Sequence, residues 1–261
     1  MNRIEEKFFE LKRQNKKALI AYITAGDPSL KVTGELISTL FSAGVDILEI
    51  GIPFSDPTAD GPIIQRAAQR ALKDGTTLEK VLHLLREKKD YGPFVLFGYY
   101  NPIFRYGKEN FARLAKKVGV DGLLVVDLPP EEAGELRRYT DKRNIAFISL
   151  IAPTTTDERI RFIISKASGF LYYISVTGVT GTKRPVVEEI KRDMERIRKL
   201  TDLPVVIGFG ITSAEQVKEL SPFADGLVVG SALVRLIEEH AHSIRLHTVV
   251  ADYIRNLKSA M

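Results

Sequence analysis

The 261-residue sequence predicts an α/β fold of parallel strands covered by helices, and three observations carry that reading. Short runs rich in Val, Ile, Leu and Phe alternate with longer amphipathic segments along the whole chain. Within the short runs apolar residues stand next to one another, the pattern of a parallel sheet buried on both faces. A signature that ends a helix and opens a strand also recurs, as Ala43-Gly44-Val45-Asp46, Val118-Gly119-Val120-Asp121 and Phe223-Ala224-Asp225-Gly226. Eight strand–helix units in about 250 residues is the count and size of a (β/α)8 TIM barrel. An open doubly wound sheet is the rival, but no G-x-G-x-x-G follows the first strand.

The elements are expected in this order. The opening MNRIEEKFFELKRQNKK reads as an extra amphipathic helix ahead of the barrel; it lacks the apolar stretch and cleavage site of a signal peptide. Strands are expected at 18–24, 47–52, 94–99, 122–126, 146–151, 170–175, 205–208 and 227–230. Helices follow at 30–43, 63–89, 108–118, 130–143, 156–166, 186–200, 213–220 and from 232 to near the end. Gly44 and Gly119 suit helix C-terminal turns, where φ becomes positive. Asp46, Asp121 and Asp225 then fall at strand N-terminal ends, the face of a barrel that serves stability, and are read as structural. Residues 1–261 are expected to form one barrel domain.

Composition narrows the function. An apolar content of 44% is ample for a core, and no apolar run reaches 18 residues, so a soluble cytoplasmic protein is expected. The absence of Cys excludes disulfides, thiolate catalysis and zinc–thiolate sites. The net charge of +5 is spread over helical segments such as 12–17 and 86–89. With no aromatic-studded basic strand, it suits a small anionic substrate better than nucleic acid.

Barrel chemistry sits at strand C-terminal ends. The polar residues expected there are Asp27, Glu49, Asp56, Asp60, Asn101, Asp127, Tyr172, Ser175 and the loop 177–184. No candidate strand holds a Lys, so a Schiff base has no evident nucleophile. His83, His240, His242 and His247 lie on helices; His240 and His242, two apart, diverge around theirs, so no histidine metal site is expected. Carboxylate acid/base chemistry remains, and DILEIGIPFSDPTADGP at 46–62 is where it would reside. Strand alternation puts Ile47, Glu49 and Gly51 on one face and Leu48, Ile50 and Ile52 on the other, so Glu49 points into the barrel. Burial there raises a carboxyl pKa and lets Glu49 hold and donate a proton. The competing reading is a structural Glu paired with a distant Arg. Asp60, before Gly61-Pro62, reads equally as a turn former, a helix cap or a functional acid. Asp56 before Pro57 reads as a turn, and Asp127 as an anchor for the helix that follows it.

Glycine loops follow the last three strands: Thr177-Gly178-Val179-Thr180-Gly181-Thr182, Gly208-Phe209-Gly210-Ile211-Thr212-Ser213 and Val229-Gly230-Ser231-Ala232. Loops after strands seven and eight, with a helix N-terminus, form the usual barrel phosphate site. Lys183 and Arg184 either assist that site or are simply solvated.

The whole chain resembles the α subunit of tryptophan synthase. The resemblance is carried by EIGIPFSDPTADGP from Glu49 to Pro62, Thr24-Ala25-Gly26-Asp27-Pro28, SVTGVTG at 175–181, GFGI at 208–211 and VVGSALV at 228–234. It implies a (β/α)8 lyase that cleaves indole-3-glycerol phosphate to indole and glyceraldehyde 3-phosphate, with no metal or organic cofactor of its own. Position by position, it implies that Glu49 protonates indole C3 and takes the glycerol hydroxyl proton, that Asp60 engages the indole N–H, and that Tyr172 lies beside Glu49. It places Tyr22, Ile64, Phe97 and Leu124 around the indole, and Thr180, Gly181, Gly210, Gly230 and Ser231 at the phosphate end. It also implies a β subunit carrying pyridoxal phosphate in an αββα complex, met through Pro53, Asp56, Pro57, Asn101, Phe104 and Pro129. Departures from the family pattern are Thr58 for Leu, Tyr22 for Phe, and the stretch Lys183-Arg184-Pro185. The alternatives are a stand-alone lyase releasing free indole, a non-catalytic activator of a β subunit, and another phosphate-binding barrel enzyme.

Overall fold

The computed structural model describes residues 1–174, 187–208 and 210–261. Nine strands run through one sheet: β1 Ala18–Thr24, β2 Ile47–Gly51, β3 Phe94–Gly98, β4 Val120–Val125, β5 Ala146–Phe147, β6 Ser149–Ile151, β7 Leu171–Ile174, β8 Val205–Gly208 and β9 Gly226–Val229. Their spatial order is β5-β4-β3-β2-β1-β9-β8-β7-β6, and every pairing is parallel. The two ends of that order, β5 and β6, are consecutive in the chain and separated only by Ile148, whose N–H donates to Leu123 O at 2.9 Å. They are one strand in two pieces, the fifth that the sequence predicts, and through it the sheet closes into an eight-unit barrel.

The helices are α1 Arg3–Arg13, α2 Leu30–Ala43, α3 Pro62–Lys73, α4 Leu78–Arg86, α5 Tyr100–Tyr106, α6 Lys108–Lys117, α7 Gly134–Thr140, α8 Asp157–Ile164, α9 Val187–Arg198, α10 Ala214–Leu220, α11 Ser231–Glu239 and α12 Leu246–Ser259. Two expected helices are each divided. The segment 63–89 breaks at Gly75, whose φ of +72° leaves the helical region, and Thr77 then caps α4 through its Oγ1 on the Lys80 N–H. The last helix is interrupted between Glu239 and Leu246. A short helix not foreseen, α5, precedes α6 and is set off from it by Gly107 at φ +92°. The expected helix at 130–143 shrinks to α7, because the chain after Pro129-Pro130 is still turning.

Strand alternation sorts the core into two. Outward-facing residues such as Leu19, Leu48, Leu96, Leu123 and Ile207 pack under the helices. Inward-facing Ile20, Ile47, Val95, Leu124, Ile148, Val206 and Val228 fill the barrel and meet Ile4, Phe8 and Leu11 of α1. The extra N-terminal helix is thus the plug of the barrel's lower end; each such buried side chain is worth roughly 1.5–3 kcal/mol. A capping box between Asn2 and Glu5 starts α1. Arg3 then clamps Asp121 through Nε (3.0 Å to Oδ1) and Nη2 (2.8 Å to Oδ2).

The three aspartates of the recurring signature share one task. Asp46 accepts the N–H of Leu19 at 2.7 Å, Asp121 that of Phe94 at 3.0 Å and Asp225 that of Val205 at 2.9 Å. Each satisfies a backbone donor near the start of the neighbouring strand. Asp121→Ala, which orphans the buried Phe94 N–H and releases Arg3, is expected to cost about 1–3 kcal/mol. A fall in the urea unfolding midpoint at unchanged slope would show it; an unchanged midpoint would refute the role.

Candidate active site

Glu49 lies on β2 between Tyr22 of β1 and Val95 of β3, its neighbours in register. It is fully buried, and among the described residues neither carboxylate oxygen has a hydrogen-bond partner. No arginine answers it there, so the structural ion-pair reading finds no support. Burial alone pushes its pKa up to about 8.

Tyrosines gather around it. The Tyr172 hydroxyl on β7 is held far above the usual phenol range, first by burial and then by the nearby charges of Glu49 and Tyr22. Both rings need glycine neighbours. A Cβ on Gly208 would come within 2.2 Å of the Tyr172 ring, and one on Gly51 within 2.1 Å of the Tyr22 hydroxyl. Phe97 packs edge-on to Tyr22 with centroids 5.3 Å apart. Leu124 stands opposite Phe97 in register, and Ile64 packs against Tyr22 from α3. The apolar residues placed by resemblance therefore do converge on one barrel mouth.

Asp60 ends the loop after β2. Its pKa is pushed up to about 6 by burial, against a hydrogen bond from the Tyr99 hydroxyl that pulls it down. It does not cap α3, whose N-cap is Gly61 without a side-chain hydrogen bond. Its backbone is held by Gln65, whose Nε2 donates to Asp60 O at 2.8 Å. Tyr99 is a residue that sequence reasoning missed. Its hydroxyl also accepts the Ala59 N–H at 3.0 Å, and its ring lies 5.1 Å from that of Phe54. One side chain thus holds the loop and tunes its acid. The available signal was its place, the residue after the third strand, in the run FGYYNP, between Phe97 and Asn101.

The remaining polar candidates have other partners. Asp56 is exposed and accepts from the Ser55 hydroxyl at 2.6 Å, as a turn residue does. Asp127 anchors a helix, but an earlier one, after the neighbouring strand β3: its Oδ1 accepts the Tyr100 N–H of α5 at 2.7 Å. Around the same mouth Asn101 is exposed, Phe104 is 56% exposed, Pro57 and Pro129 are half-buried, and Pro53 is buried beneath its loop. Ser175, Thr180, Gly181, Lys183, Arg184 and the rest of the loop 177–184 lie outside the described residues.

Across the barrel, Gly230 precedes α11 with no side chain capping it, and the first intrahelical bond runs from Val234 N to Gly230 O. The N–H groups of Ser231, Ala232 and Leu233 therefore have no acceptor within the helix and add to its positive end. Among the described residues a Cβ on Gly230 would meet only Tyr22 Cβ, at 3.7 Å, and one on Gly210, at φ +67°, would meet nothing within 4 Å. Both leave backbone accessible to an anion. Among the described residues no group of three or more acids and histidines is placed to hold a metal ion.

A closed barrel with two carboxyls at its mouth, an aromatic cradle and an uncapped helix end opposite defines a (β/α)8 enzyme built for carboxylate chemistry. The comparisons specify which one. The family model described as tryptophan synthase alpha chain matches residues 8–261. The tryptophan synthase alpha chain of Geotalea daltonii is 49% identical over 263 residues, covering 100% of this chain and 99% of that relative. The one from Desulfosudis oleivorans is 48% identical over 262 residues, with 100% and 99% covered. The crystal structure of tryptophan synthase subunit alpha from Legionella pneumophila superimposes with a TM-score of 0.92 at 40% identity, over 100% of this chain and 98% of that one. The chain belongs to the tryptophan synthase alpha chain family.

The raised pKa of Glu49 sets a pH-dependent penalty. Below the unfolded value of 4.5 the carboxyl is neutral in both states and the penalty is absent. As pH rises from there toward about 8 the unfolded chain ionises first, and folding loses stability. Glu49→Gln should therefore gain stability over the parent as pH climbs from 4.5 to 8 in urea titrations. An advantage that shrank with rising pH would contradict the burial account.

Proposed function

We propose that Glu49, Asp60 and the Gly230–Ser231 helix end carry out in this chain the activity of its family, the retro-aldol cleavage of indole-3-glycerol phosphate to indole and glyceraldehyde 3-phosphate. The chain is a carbon–carbon lyase of L-tryptophan biosynthesis. One observation carries the assignment of roles. Two carboxyls at one mouth have pKa values driven apart by their surroundings, about 8 for Glu49 and about 6 for Asp60, so near neutrality one holds a proton and the other a charge.

Protonated Glu49 gives its proton to indole C3, and the ring becomes a cationic indolenine. The Asp60 carboxylate faces the ring N–H and stabilises that cation, in a pocket where low polarity strengthens the attraction. Glu49, now a carboxylate, takes the proton of the glycerol hydroxyl next to the scissile bond. That bond breaks, its electron pair returns to the ring to restore indole, and the hydroxyl carbon becomes the aldehyde. Glu49 ends protonated, as it began. Tyr172 lines the wall beside it, Tyr22, Ile64, Phe97 and Leu124 hold the indole, and backbone N–H groups around Gly210, Gly230 and Ser231 bind the phosphate, with Thr180 and Gly181 completing that end. The reading gives residues 1–261 the role of one domain with no metal or organic cofactor of its own.

A purely activating role fits poorly, because an unpaired buried acid costs stability and does nothing for a binding surface. Glu49→Gln should lower indole release ~10²–10⁴-fold. The parent kcat/KM should follow a bell with limbs near about 6 and about 8, and a flat profile across that range would refute the pair.

The family name implies a β-subunit partner. The finer proposal is an αββα complex, with pyridoxal phosphate on the β subunit only and indole passing to it inside the complex, in the cytoplasm. No described helix is long and apolar enough to cross a membrane. Exposed Phe104 and Asn101 on α5, with exposed Asp56 and half-buried Pro57 and Pro129 on the loops after β2 and β4, support this mouth as the contact face, and Pro53 is the buried member of the set. A partner fixing Asp56 would also fix Asp60, and a misplacement of ~1 Å costs ~10²-fold in rate. Indole release should rise steeply as β subunit is added, with a weaker, right-shifted response in Asp56→Ala. Equal turnover with and without the β subunit would favour the stand-alone lyase.

A further inference from the structure

Asp27, a polar residue at the end of β1, stands outside the acid/base pair. Its side chain is almost fully buried, and Arg70 of α3 grips it with both arms of the fork, Nε to Oδ1 at 2.7 Å and Nη2 to Oδ2 at 2.8 Å. The same guanidinium donates through Nη1 to Glu238 Oε1 of α11 at 2.6 Å. Arg66, one turn earlier on α3, donates to Glu238 twice more, at 3.0 and 2.9 Å. Four alternating charges thus tie the loop after β1 to α3 and α11.

The two helices are those that flank the site. α3 begins at Pro62, two residues after Asp60, and α11 begins at Ser231, directly after Gly230. Nearer the mouth they meet through apolar side chains, Ile63, Ile64 and Ala67 against Val234 and Tyr22. Such contacts are non-directional and do not set a spacing. The ionic contacts lower down do, because fork geometry is specific: Arg66 meets Glu238 through two bonds, and Arg70, forked on Asp27, adds a third. Glu238 stands in the last turn of α11, where the helix dipole disfavours a carboxylate, and two arginines are what make the place tenable.

We propose that Glu238 is a positioning residue: held from α3 by the Arg66 fork and by Arg70, which is itself locked on Asp27, it sets the distance between the carboxylate end and the phosphate end of the active site. The inference rests on the functional reading above. A ligand that spans both ends gains from both only when their spacing matches its length; a ligand that fills one end is indifferent to the spacing.

The test uses three probes titrated against the full chain by calorimetry: 3-(indol-3-yl)propyl phosphate, which spans the site, and glycerol 3-phosphate and indole, which each fill one end. Glu238→Gln removes both ionic ties to α11 and leaves Asp27 paired, so folding is preserved; Arg66→Lys combined with Arg70→Lys keeps both charges on α3 but removes both guanidinium forks. Both variants should bind the spanning probe about tenfold more weakly and the one-ended probes within about twofold of the parent, with kcat for the substrate lowered and KM raised. Equal weakening of all three probes, the mark of a merely structural role, would overturn the proposal, as would no change in any. Failure of the parent itself to bind the spanning probe would instead overturn the functional reading.

Discussion

The structure depends on the burial of an unpaired carboxyl. Glu49 sits inside a parallel barrel with no charged partner among the described residues, and its proton is retained because the ionised form has nothing there to replace water. Many features of the fold serve that condition. Helix α1 fills the lower end with Ile4, Phe8 and Leu11, so the interior beneath Glu49 is packed with apolar side chains. The neighbouring interior positions in register are Tyr22 and Val95, neither of which supplies a compensating charge. Gly51 and Gly208 let tyrosine rings close the walls where any side chain would collide. An acid kept neutral in this way is destabilising, and the outer core under the helices is what tolerates it.

The second acid shows the opposite treatment on the same strand–loop unit. Asp60 is only half-buried, and the Tyr99 hydroxyl stabilises its charge, so its pKa rises less. Ten residues of chain lie between two carboxyls with different protonation at one pH, and the difference arises from burial and one hydrogen bond. The loop between them exposes Ser55, Asp56, Thr58 and Ala59, which links partner contact at Asp56 to the placement of Asp60 in physical terms.

Much of this was legible in the sequence. The barrel followed from doubly buried strands, Glu49 from a carboxylate within such a strand, and the structural aspartates from their place where a helix has ended and a strand opens. The reading blurred where two opposite signals were short. Gly75 and Thr77 divide a long amphipathic segment into α3 and α4, yet each alone is tolerated within a helix. Ile148 bonds to β4 while its neighbours on either side pair with different strands, and no local pattern announces such a seam. Tyr99 and the Arg70 bridge were not legible, because their roles depend on partners tens of residues away or, for Glu238, more than a hundred. Asp127 was correctly read as an anchor but for the wrong helix, for the same reason.

The central claim is that Glu49 holds its proton at neutral pH because the barrel isolates it. Carbon-13 labelling of glutamate side chains, with Glu49→Gln to assign the resonance, allows the carboxyl to be titrated directly by NMR in the free protein. A Glu49 carboxyl that titrates near about 8 is the predicted result. A midpoint close to the ordinary 4.5 would mean that the site is wet or the charge is paired, and the account of both the fold's tolerance and the chemistry would fail.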